Sequence, residues 1–401
     1  MRPVDRVVVI DDSPLLRSMI TEALQGVPGI SVIGQAGSGR EGIRQIEALD
    51  PDIVSLDIEL GDISGLDVLE HVMRTRPRRV VVVSSQTEAG ADTTFRALAL
   101  GAVDFVAKGR LDPGPDGFEA RLRRTFEAAR HARVLPSRSR QGDQRRTLTA
   151  EQRLERARER RSAAQERRSA ATTPARPARP ARPVAAARTS VAAPPRPGSG
   201  GAGSLRKPGL LLIASSTGGP PALQEFFATL TVKPAMPILL VQHMPEAFTA
   251  RLASRLDQSG PTTVREATHG EAIQPGVALI AKGGRHLGVD GRTVSLLDTD
   301  PVGALKPRAD ITFQQAVDSF GGNLLAVVLT GMGDDGLIGC QAVARAGGQV
   351  LAQSGETSTV DGMPQKVRNA GLHLAEGSPA YLAALIDRLS GGRPSDSGRS
   401  S

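Results

Sequence analysis

The sequence predicts two α/β domains, each built on a doubly wound, mostly parallel sheet, with a long linker between them. The length of 401 residues fits two domains with chain to spare. Short β-branched apolar runs alternate with helical patterns in both halves, and the stretch between them has no aromatic, Ile or Met residue. We expect a first domain over 1–130, a disordered linker over 131–207, a second domain over 208–390 and a disordered tail over 391–401.

The composition excludes several classes of protein. With 39% apolar and 23% charged residues, the chain can form real hydrophobic cores. No uncharged apolar run reaches 18 residues, so we expect no membrane insertion. The N-terminal sequence MRPVDRVVVIDDS is too short in its apolar run and too acidic for a signal peptide. The single cysteine, Cys340, excludes an internal disulfide framework and a multi-cysteine metal site. We therefore expect a cytoplasmic protein.

The net charge of +8 comes from the linker and not from the domains. Between His131 and Lys207 there are 19 Lys and Arg against 5 Asp and Glu, whereas the rest of the chain has 31 against 37. Ala-Arg-Pro triplets and a Gly/Ser stretch favour extended, flexible chain, so a solvated tether is the preferred interpretation. A tail that binds nucleic acid or an acidic partner is the alternative. No helix-turn-helix pattern follows the first domain and no aromatics lie among the arginines, so nucleic acid is not expected as a partner.

Strands and helices alternate in the first domain. Five apolar runs predict strands: Arg6–Ile10, Ile30–Ala36, Asp52–Leu56, Val80–Val83 and Ala102–Ala107. The helical patterns are Pro14–Gln25, Arg40–Leu49, Leu66–Arg74, Ala89–Leu100 and Asp116–Arg130. Ser13 is a helix start signal, because its hydroxyl can cap the helix and Pro14 suits the first helical position. Five strand–helix units of this size predict a doubly wound parallel sheet.

Polar side chains follow four strands of this predicted sheet. Asp11 and Asp12 follow the first strand, Asp57 the third, and Ser84 and Lys108 end the fourth and fifth. Parallel strands end at one edge of the sheet, so these groups should converge. Three close carboxylates repel one another unless a divalent cation neutralises them, and an all-oxygen ligand set suits Mg²⁺. An acceptor carboxylate, a metal, a hydroxyl and an ammonium together indicate phosphoryl transfer onto aspartate.

The second domain repeats the alternation. Its apolar runs predict strands at Leu210–Ala214, Pro237–Gln242, Val277–Ala281, Leu324–Leu329 and Gln349–Ala352. Helical patterns cover Pro221–Leu230, Ala247–Leu256, Leu337–Ala346 and Met363–Asn369. The segment His286–Leu297 predicts an antiparallel hairpin with a turn at Asp290-Gly291.

Three strands of the second domain end in groups that together could perform acyl transfer. The first runs into Ser215–Gly219 and a helix, which suits either a bound phosphate or a serine nucleophile whose oxyanion is held by helix-start N–H groups. The phosphate interpretation lacks the Walker lysine and the GxGxxG spacing. His243 ends a strand at the same edge and is the best candidate base. Asp334 and Asp335 follow a third strand, and either could orient the imidazole.

Residues 1–130 resemble a two-component receiver domain, which has a flavodoxin-like sheet. The resemblance implies Asp57 as phosphoacceptor, Asp11, Asp12 and Asp57 as the Mg²⁺ site, and Ser84 and Lys108 as switch residues. The chain departs from the family at Leu60-Gly61, where Met-Pro is usual, and at Gly109, where proline is common. These departures concern the switch loops and leave the phosphoryl chemistry intact.

The second domain resembles the catalytic domain of the chemotaxis protein-glutamate methylesterases (CheB type), a Rossmann-like esterase. The matching motifs are ASSTGGP, VQHMPEAFTARLASRL, EATHGEAIQPG, LTGMGDDG and STVDGMP, and the order receiver, linker, esterase is that of the family. The resemblance assigns the nucleophile to Ser216, the base to His243 and the triad acid to Asp335. The candidate oxyanion-hole donors are the backbone N–H groups at Thr217, Gly218, Gly219 and Met332.

The resemblance also implies the reaction and its partners. We expect hydrolysis of glutamate methyl esters on methyl-accepting chemoreceptors, with deamidation of glutamines allowed by the same acyl chemistry. No cofactor is expected in the esterase domain, and a chemosensory histidine kinase is expected as phosphodonor. The run Leu305–Arg308 stands where the family typically has His-Arg-Pro-Ser, and Lys282 replaces a usual proline, which bears on the substrate. The alternative function is a phosphorylation-switched binding module without catalysis.

Overall fold

The computed structural model describes residues 4–85, 87–108, 117–134, 205–299 and 305–391. The predicted linker and the predicted tail lie outside the described residues except at their ends, and the three boundaries between the four predicted segments therefore stay predictions. No helix in the described part of the chain is both long enough and apolar enough to cross a membrane.

The first half is a parallel sheet covered by helices. Its strands are β1 (Asp5–Ile10), β2 (Ile30–Ala36), β3 (Ile53–Asp57), β4 (Arg79–Ser85) and β5 (Asp104–Lys108). Its helices are α1 (Pro14–Gln25), α2 (Gly39–Leu49), α3 (Gly65–Thr75), α4 (Glu88–Leu100) and α5 (Phe118–His131). The order β2-β1-β3-β4-β5, with parallel pairing throughout the described strands, confirms the predicted flavodoxin-like class. Ser13 caps α1 as predicted, because its Oγ accepts the Leu16 N–H at 3.4 Å.

The second half holds another parallel sheet and a separate hairpin. Its sheet strands are β6 (Leu210–Ser215), β7 (Ile238–Gln242), β8 (Thr263–Glu266), β9 (Val277–Ile280), β12 (Leu324–Val328), β13 (Gln349–Gln353) and β14 (Ala375–Gly377). The hairpin β10 (His286–Asp290) and β11 (Thr293–Leu297) has the predicted antiparallel register. The described helices are α6 (Gly219–Thr229), α7 (Glu246–Asp257), α8 (Ala309–Phe320), α9 (Leu337–Arg345), α10 (Met363–Asn369) and α11 (Pro379–Leu389).

The order of the second sheet determines where its ligand crevice lies. The strands run β14-β13-β12-β6-β7-β9-β8, so the chain leaves β6 toward β7 on one side and reaches β12 on the other. In sheets of this kind the crevice opens beyond the carboxyl ends of the strands where the order reverses. β6, β7 and β12 are fully buried strands, which fits their near-continuous apolar sequences. The residues that follow these three strands therefore meet in one crevice.

Four elements were not predicted. β8 and β14 are short strands of 4 and 3 residues at the two ends of the sheet. α8 has no local start signal, since its N-cap residue Arg308 makes no side-chain capping bond. α11 does carry one, because Ser378 caps it through the Tyr381 N–H and Pro379 follows, so this helix was simply missed.

The two halves pack together into one compact unit. The ring of Phe248 on α7 lies 6.5 Å from that of Phe95 on α4 and 4.5 Å from that of Phe105 on β5. The guanidinium of Arg251 on α7 binds the carboxylate of Asp92 on α4 through two nitrogens. This interface therefore combines an aromatic cluster with an ion pair on its rim.

Candidate functional sites

Ser216 and His243 follow a matched pair of residues at the ends of β6 and β7. Ser215 and Gln242 are partners in the strand register, so the next residue of each strand emerges at the same level. The Gln242 amide donates to the carbonyl oxygens of Ser216 and His243, at 3.0 Å in each case. The Ser216 N–H donates to Thr330 O at 3.0 Å, beyond the end of β12. Three strand ends are thereby bonded to one another around Ser216.

Ser216 is the half-buried member of an otherwise buried turn. Its backbone packs closely on Gly331. A Cβ at that glycine would lie 2.7 Å from Ser216 Cβ and 2.4 Å from the Met363 sulfur. The close approach therefore requires glycine at position 331.

The imidazole of His243 is bound to a buried carboxylate. Its Nε2 lies 2.7 Å from Oδ2 of Asp335, whose side chain is 1% exposed. Asp335 also accepts the backbone N–H groups of Ala309, at 2.7 Å, and of Asp310 and Gly336, both at 3.0 Å. Burial alone raises the pKa of Asp335, but the hydrogen bond and charge of His243, together with the N–H groups at the start of α8, outweigh it and lower the pKa to about 2. Asp335 is therefore an ionised partner for His243 at neutral pH.

Asp310 and Asp335 cap each other's helices. Asp335 precedes α9 and accepts the first N–H groups of α8, whereas Asp310 lies in α8 and accepts the Gly336 and Gly339 N–H groups of α9, at 2.9 and 2.8 Å. Anionic side chains stabilise helix N-termini. Both carboxylates bind the Gly336 N–H, so two buried acids are neighbours. Burial and the charge of Asp335 raise the pKa of Asp310, against the hydrogen bond from Gly339.

Arg308 lies beside these two acids, and the sequence analysis gave it no role in the triad. Its Nε is 3.4 Å from Asp335 Oδ1 and its Nη2 is 3.2 Å from Asp310 Oδ2. Its backbone N–H donates to Nδ1 of the buried His286 at 3.1 Å. The available signal was the departure at Leu305–Arg308, which was interpreted as a matter of substrate alone. The departure also reaches Asp335, the carboxylate that binds His243.

The candidate oxyanion-hole donors differ in their surroundings. The Gly219 N–H already donates to Ser216 O at 2.7 Å. Gly218 has a φ of +75°, and Thr217 donates its hydroxyl to Asp104 Oδ2 of the first half at 2.5 Å. Met332 follows Gly331 and is half-buried. The N–H of Gly219 is therefore engaged within the turn, which leaves the others as the stronger candidates.

The acidic residues of the first half converge as the sequence predicts. One ligand oxygen from each of Asp11, Asp12 and Asp57 lies within 4.8 Å of the others. Lys108 Nζ lies 2.5 Å from Asp57 Oδ2 and 3.5 Å from Asp11 Oδ2. Ser84 is buried at the same strand edge, where its Oγ accepts the Thr94 hydroxyl at 2.6 Å.

This cluster fits a divalent cation. Burial raises the pKa of Asp57 to about 6 and raises that of Asp11, in both cases against the opposing charge of Lys108. Asp11 Oδ2 is buried and accepts no hydrogen bond from any described residue. A buried anionic oxygen without a donor is costly, and oxygen donors are the ligands that hard cations prefer. The residues of this cluster therefore fit a divalent cation in charge and in ligand chemistry.

Comparisons with known proteins agree on both halves. A family model described as CheB methylesterase matches residues 211–386, and one described as response regulator receiver domain matches residues 7–112. A protein-glutamate methylesterase/protein-glutamine glutaminase of Symbiobacterium thermophilum is 36% identical over 92% of this chain and 92% of its own length. One of the same name from Moorella thermoacetica is 38% identical over 95% of this chain and 98% of its own length. The crystal structure of the Thermotoga maritima CheB methylesterase catalytic domain is similar, with 36% identity, a TM-score of 0.44 and coverage of 45% of this chain and 98% of that one.

Proposed function

Because the chain belongs to the CheB-type protein-glutamate methylesterases, we propose that it hydrolyses glutamate methyl esters on methyl-accepting chemoreceptors under the control of its receiver domain. Curated relatives are named for glutaminase activity as well, so deamidation of receptor glutamines is part of the proposal. The site of action proposed is the cytoplasm. The observation that carries the proposal is the 2.7 Å bond between His243 Nε2 and Asp335 beside the turn that holds Ser216.

The mechanism proposed is acyl transfer through a Ser216–His243–Asp335 triad. Asp335 binds His243 Nε2, which fixes the neutral ring with its proton on that nitrogen and leaves Nδ1 as the base. Nδ1 takes the Ser216 proton as Oγ attacks the ester carbonyl, and methanol leaves with the proton returned by the imidazolium. Water activated by the same nitrogen then releases glutamate from the acyl-enzyme. The backbone N–H groups of Thr217, Gly218 and Met332 are the proposed oxyanion donors.

Removal of the nucleophile tests this mechanism. Ser216→Ala should abolish methanol release from methylated receptor membranes, because no other hydroxyl is proposed to form the acyl-enzyme. Ser319→Ala, which removes a hydroxyl bonded to Gly291 N–H away from the crevice, is the matched control and should keep the activity. A fluorophosphonate probe should label Ser216 in the control and not in Ser216→Ala. Unchanged methanol release by Ser216→Ala would overturn the proposal.

The same experiment separates the enzyme from the binding-module alternative. A non-catalytic module would bind receptors yet release no methanol and leave the probe unreacted. The identity of more than a third to curated methylesterases along most of the chain does not favour that alternative. A transcriptional role through the basic linker has no further support.

In the receiver half, Asp57 is the proposed phosphoacceptor for a chemosensory histidine kinase. Asp11, Asp12 and Asp57 would hold the divalent cation, proposed to be Mg²⁺, which neutralises the charge of the transferring phosphoryl group. Lys108 binds the acceptor carboxylate and would pair with the phosphoryl oxygens after transfer. Ser84, buried next to Thr94, is the proposed hydroxyl switch.

Phosphorylation is proposed to act through the interface between the halves. Thr217, directly after the nucleophile, binds Asp104 of β5, and Arg133 just beyond α5 donates its N–H to Thr359 O at 2.8 Å. These contacts hold the receiver half against the catalytic turn. Full-length protein should therefore release methanol faster with acetyl phosphate or beryllofluoride than without, and Asp57→Asn should not respond. Equal rates with and without the phosphodonor would contradict this regulation.

A further inference from the structure

The chemistry of Arg308 is set by the pair of buried carboxylates that it joins. Asp310 and Asp335 accept the same Gly336 N–H, at 2.9 and 3.0 Å. Two carboxylates this close in a buried site repel each other, and one of them would take up a proton unless a cation intervenes. The side chain of Arg308 is 14% exposed and reaches one oxygen of each acid, at 3.4 Å for Asp335 and 3.2 Å for Asp310.

The main chain of Arg308 is held in place as well as its charged side chain. The Arg308 N–H donates to Nδ1 of His286, which is completely buried. Arg308 is also the N-cap residue of α8, so its Cα is fixed where the helix begins. An arginine held at both ends loses little further freedom when it pairs, which favours a defined geometry over a loose surface contact.

The positive charge of Arg308 lies beside Oδ1 of Asp335, whereas His243 binds Oδ2. The titratable groups that the described contacts link to the two acids and Arg308 are the imidazoles of His243 and His286 and the buried thiol of Cys340. Burial and the charges of Asp310 and Asp335 raise the pKa of that thiol.

We propose that Arg308 is a positioning residue of the triad: it bridges Asp335 and Asp310, keeps both ionised, and thereby sets the pH above which His243 and Asp335 act together. The catalytic consequence rests on the proposed esterase function. Without the positive charge of Arg308, a proton binds more readily to each carboxylate and each imidazole near it. The sign of the effect is therefore the same whichever group limits the activity.

The test compares pH profiles of full-length variants. Arg308→Ser should move the acid limb of the kcat profile for methanol release upward by about one pH unit. Arg308→Met, which keeps the apolar stem, should show the same shift, and Arg308→Lys should restore most of the original profile. Arg285→Ser is the matched control, because it removes one cation from a neighbouring loop that pairs with Asp298, and its profile should not move.

A second readout does not need turnover. In full-length Ser216→Ala protein, the pH at which the His243 ring resonances move by NMR should rise by a similar amount when Arg308→Met is added. Acid limbs and ring titrations that stay within 0.2 of a pH unit (about the precision of such profiles) would overturn the proposal. A raised KM at unchanged pH profile would also overturn it, because it would assign Arg308 to substrate binding. If wild-type protein released no methanol while the ring titration still shifted, the esterase function would fail and the positioning role would stand.

Discussion

Two acidic clusters at the carboxyl ends of parallel strands behave in opposite ways. At the receiver edge, burial raises the pKa of Asp57 to about 6. At the esterase edge, Asp335 is equally buried, yet its pKa falls to about 2. Burial is the first cause in both cases, so the difference lies in the donors. Asp335 has an imidazole and three backbone N–H groups, whereas Asp57 has Lys108 and the Glu59 N–H.

The comparison shows how one kind of sheet edge can support two chemistries. A carboxylate that accepts a hydrogen bond at each lone pair stays ionised and can orient a catalytic base through many turnovers. A carboxylate whose charge is incompletely compensated keeps an affinity for a divalent cation. The number of N–H donors that each carboxylate accepts therefore distinguishes Asp335, which stays ionised, from Asp57, whose charge is less fully compensated.

The largest effect is expected at the fixed charge. Asp335→Asn should reduce kcat for methanol release by about 10³- to 10⁴-fold, because an amide can hold the wrong tautomer of His243 and cannot balance the imidazolium. The α8 cap should survive, since asparagine is also a good cap, so the unfolding midpoint by circular dichroism should change little. Asp334→Asn, at an exposed neighbour, is the control. A loss of less than tenfold would remove Asp335 from the triad.

An intermediate effect is expected at the receiver cluster. Binding of Mg²⁺ needs Asp57 ionised, and its pKa is raised to about 6, so the dissociation constant should rise about tenfold for each pH unit below 6. Titration calorimetry between pH 4.5 and 8 measures this. Asp57→Asn should bind weakly at every pH, and the exposed Asp67→Asn should behave as wild type. Affinity that does not vary with pH would contradict the contrast between the two clusters.

The smallest effect is expected at the ion pair between Asp92 and Arg251, which links the two halves. Asp92→Arg would place a third cation beside Arg251 and Arg255 and should loosen the interface. Since exposed ion pairs contribute about 0–1 kcal/mol, the unphosphorylated rate of methanol release should rise only about two- to fivefold. Arg251→Asp in the same protein should restore the low rate. An unchanged basal rate in Asp92→Arg would contradict a role of this ion pair in restraining the esterase.

Much of both clusters could be predicted from the sequence because it depends on strand ends. A parallel strand is recognisable from its apolar run, and its last residue must emerge at a known edge. Asp11, Asp57 and Lys108 were expected to meet for this reason, and the structure brings them together. His243 was expected to meet an aspartate, and it binds Asp335.

The surroundings of the triad could not be predicted, because they depend on contacts between distant segments. Asp310 and the Gly336 N–H are 26 residues apart, and α8 was missed since its cap comes from Asp335 and not from its own sequence. Thr217 and Asp104 are 113 residues apart and belong to different halves. No local periodicity encodes such pairings. The Leu305–Arg308 run was noticed as unusual, but only the folded arrangement shows which charge it meets.

The exchange of caps between α8 and α9 gives Asp335 a structural role in addition to the catalytic role proposed for it. A descendant that lost its esterase activity would still be under selection to retain Asp335, because the first N–H groups of α8 would lose their acceptor without it. Finding this residue in a related genome is consequently poor proof of catalysis. Ser216, directly after β6, is the better marker of an active esterase, because the role proposed for its hydroxyl is catalytic alone.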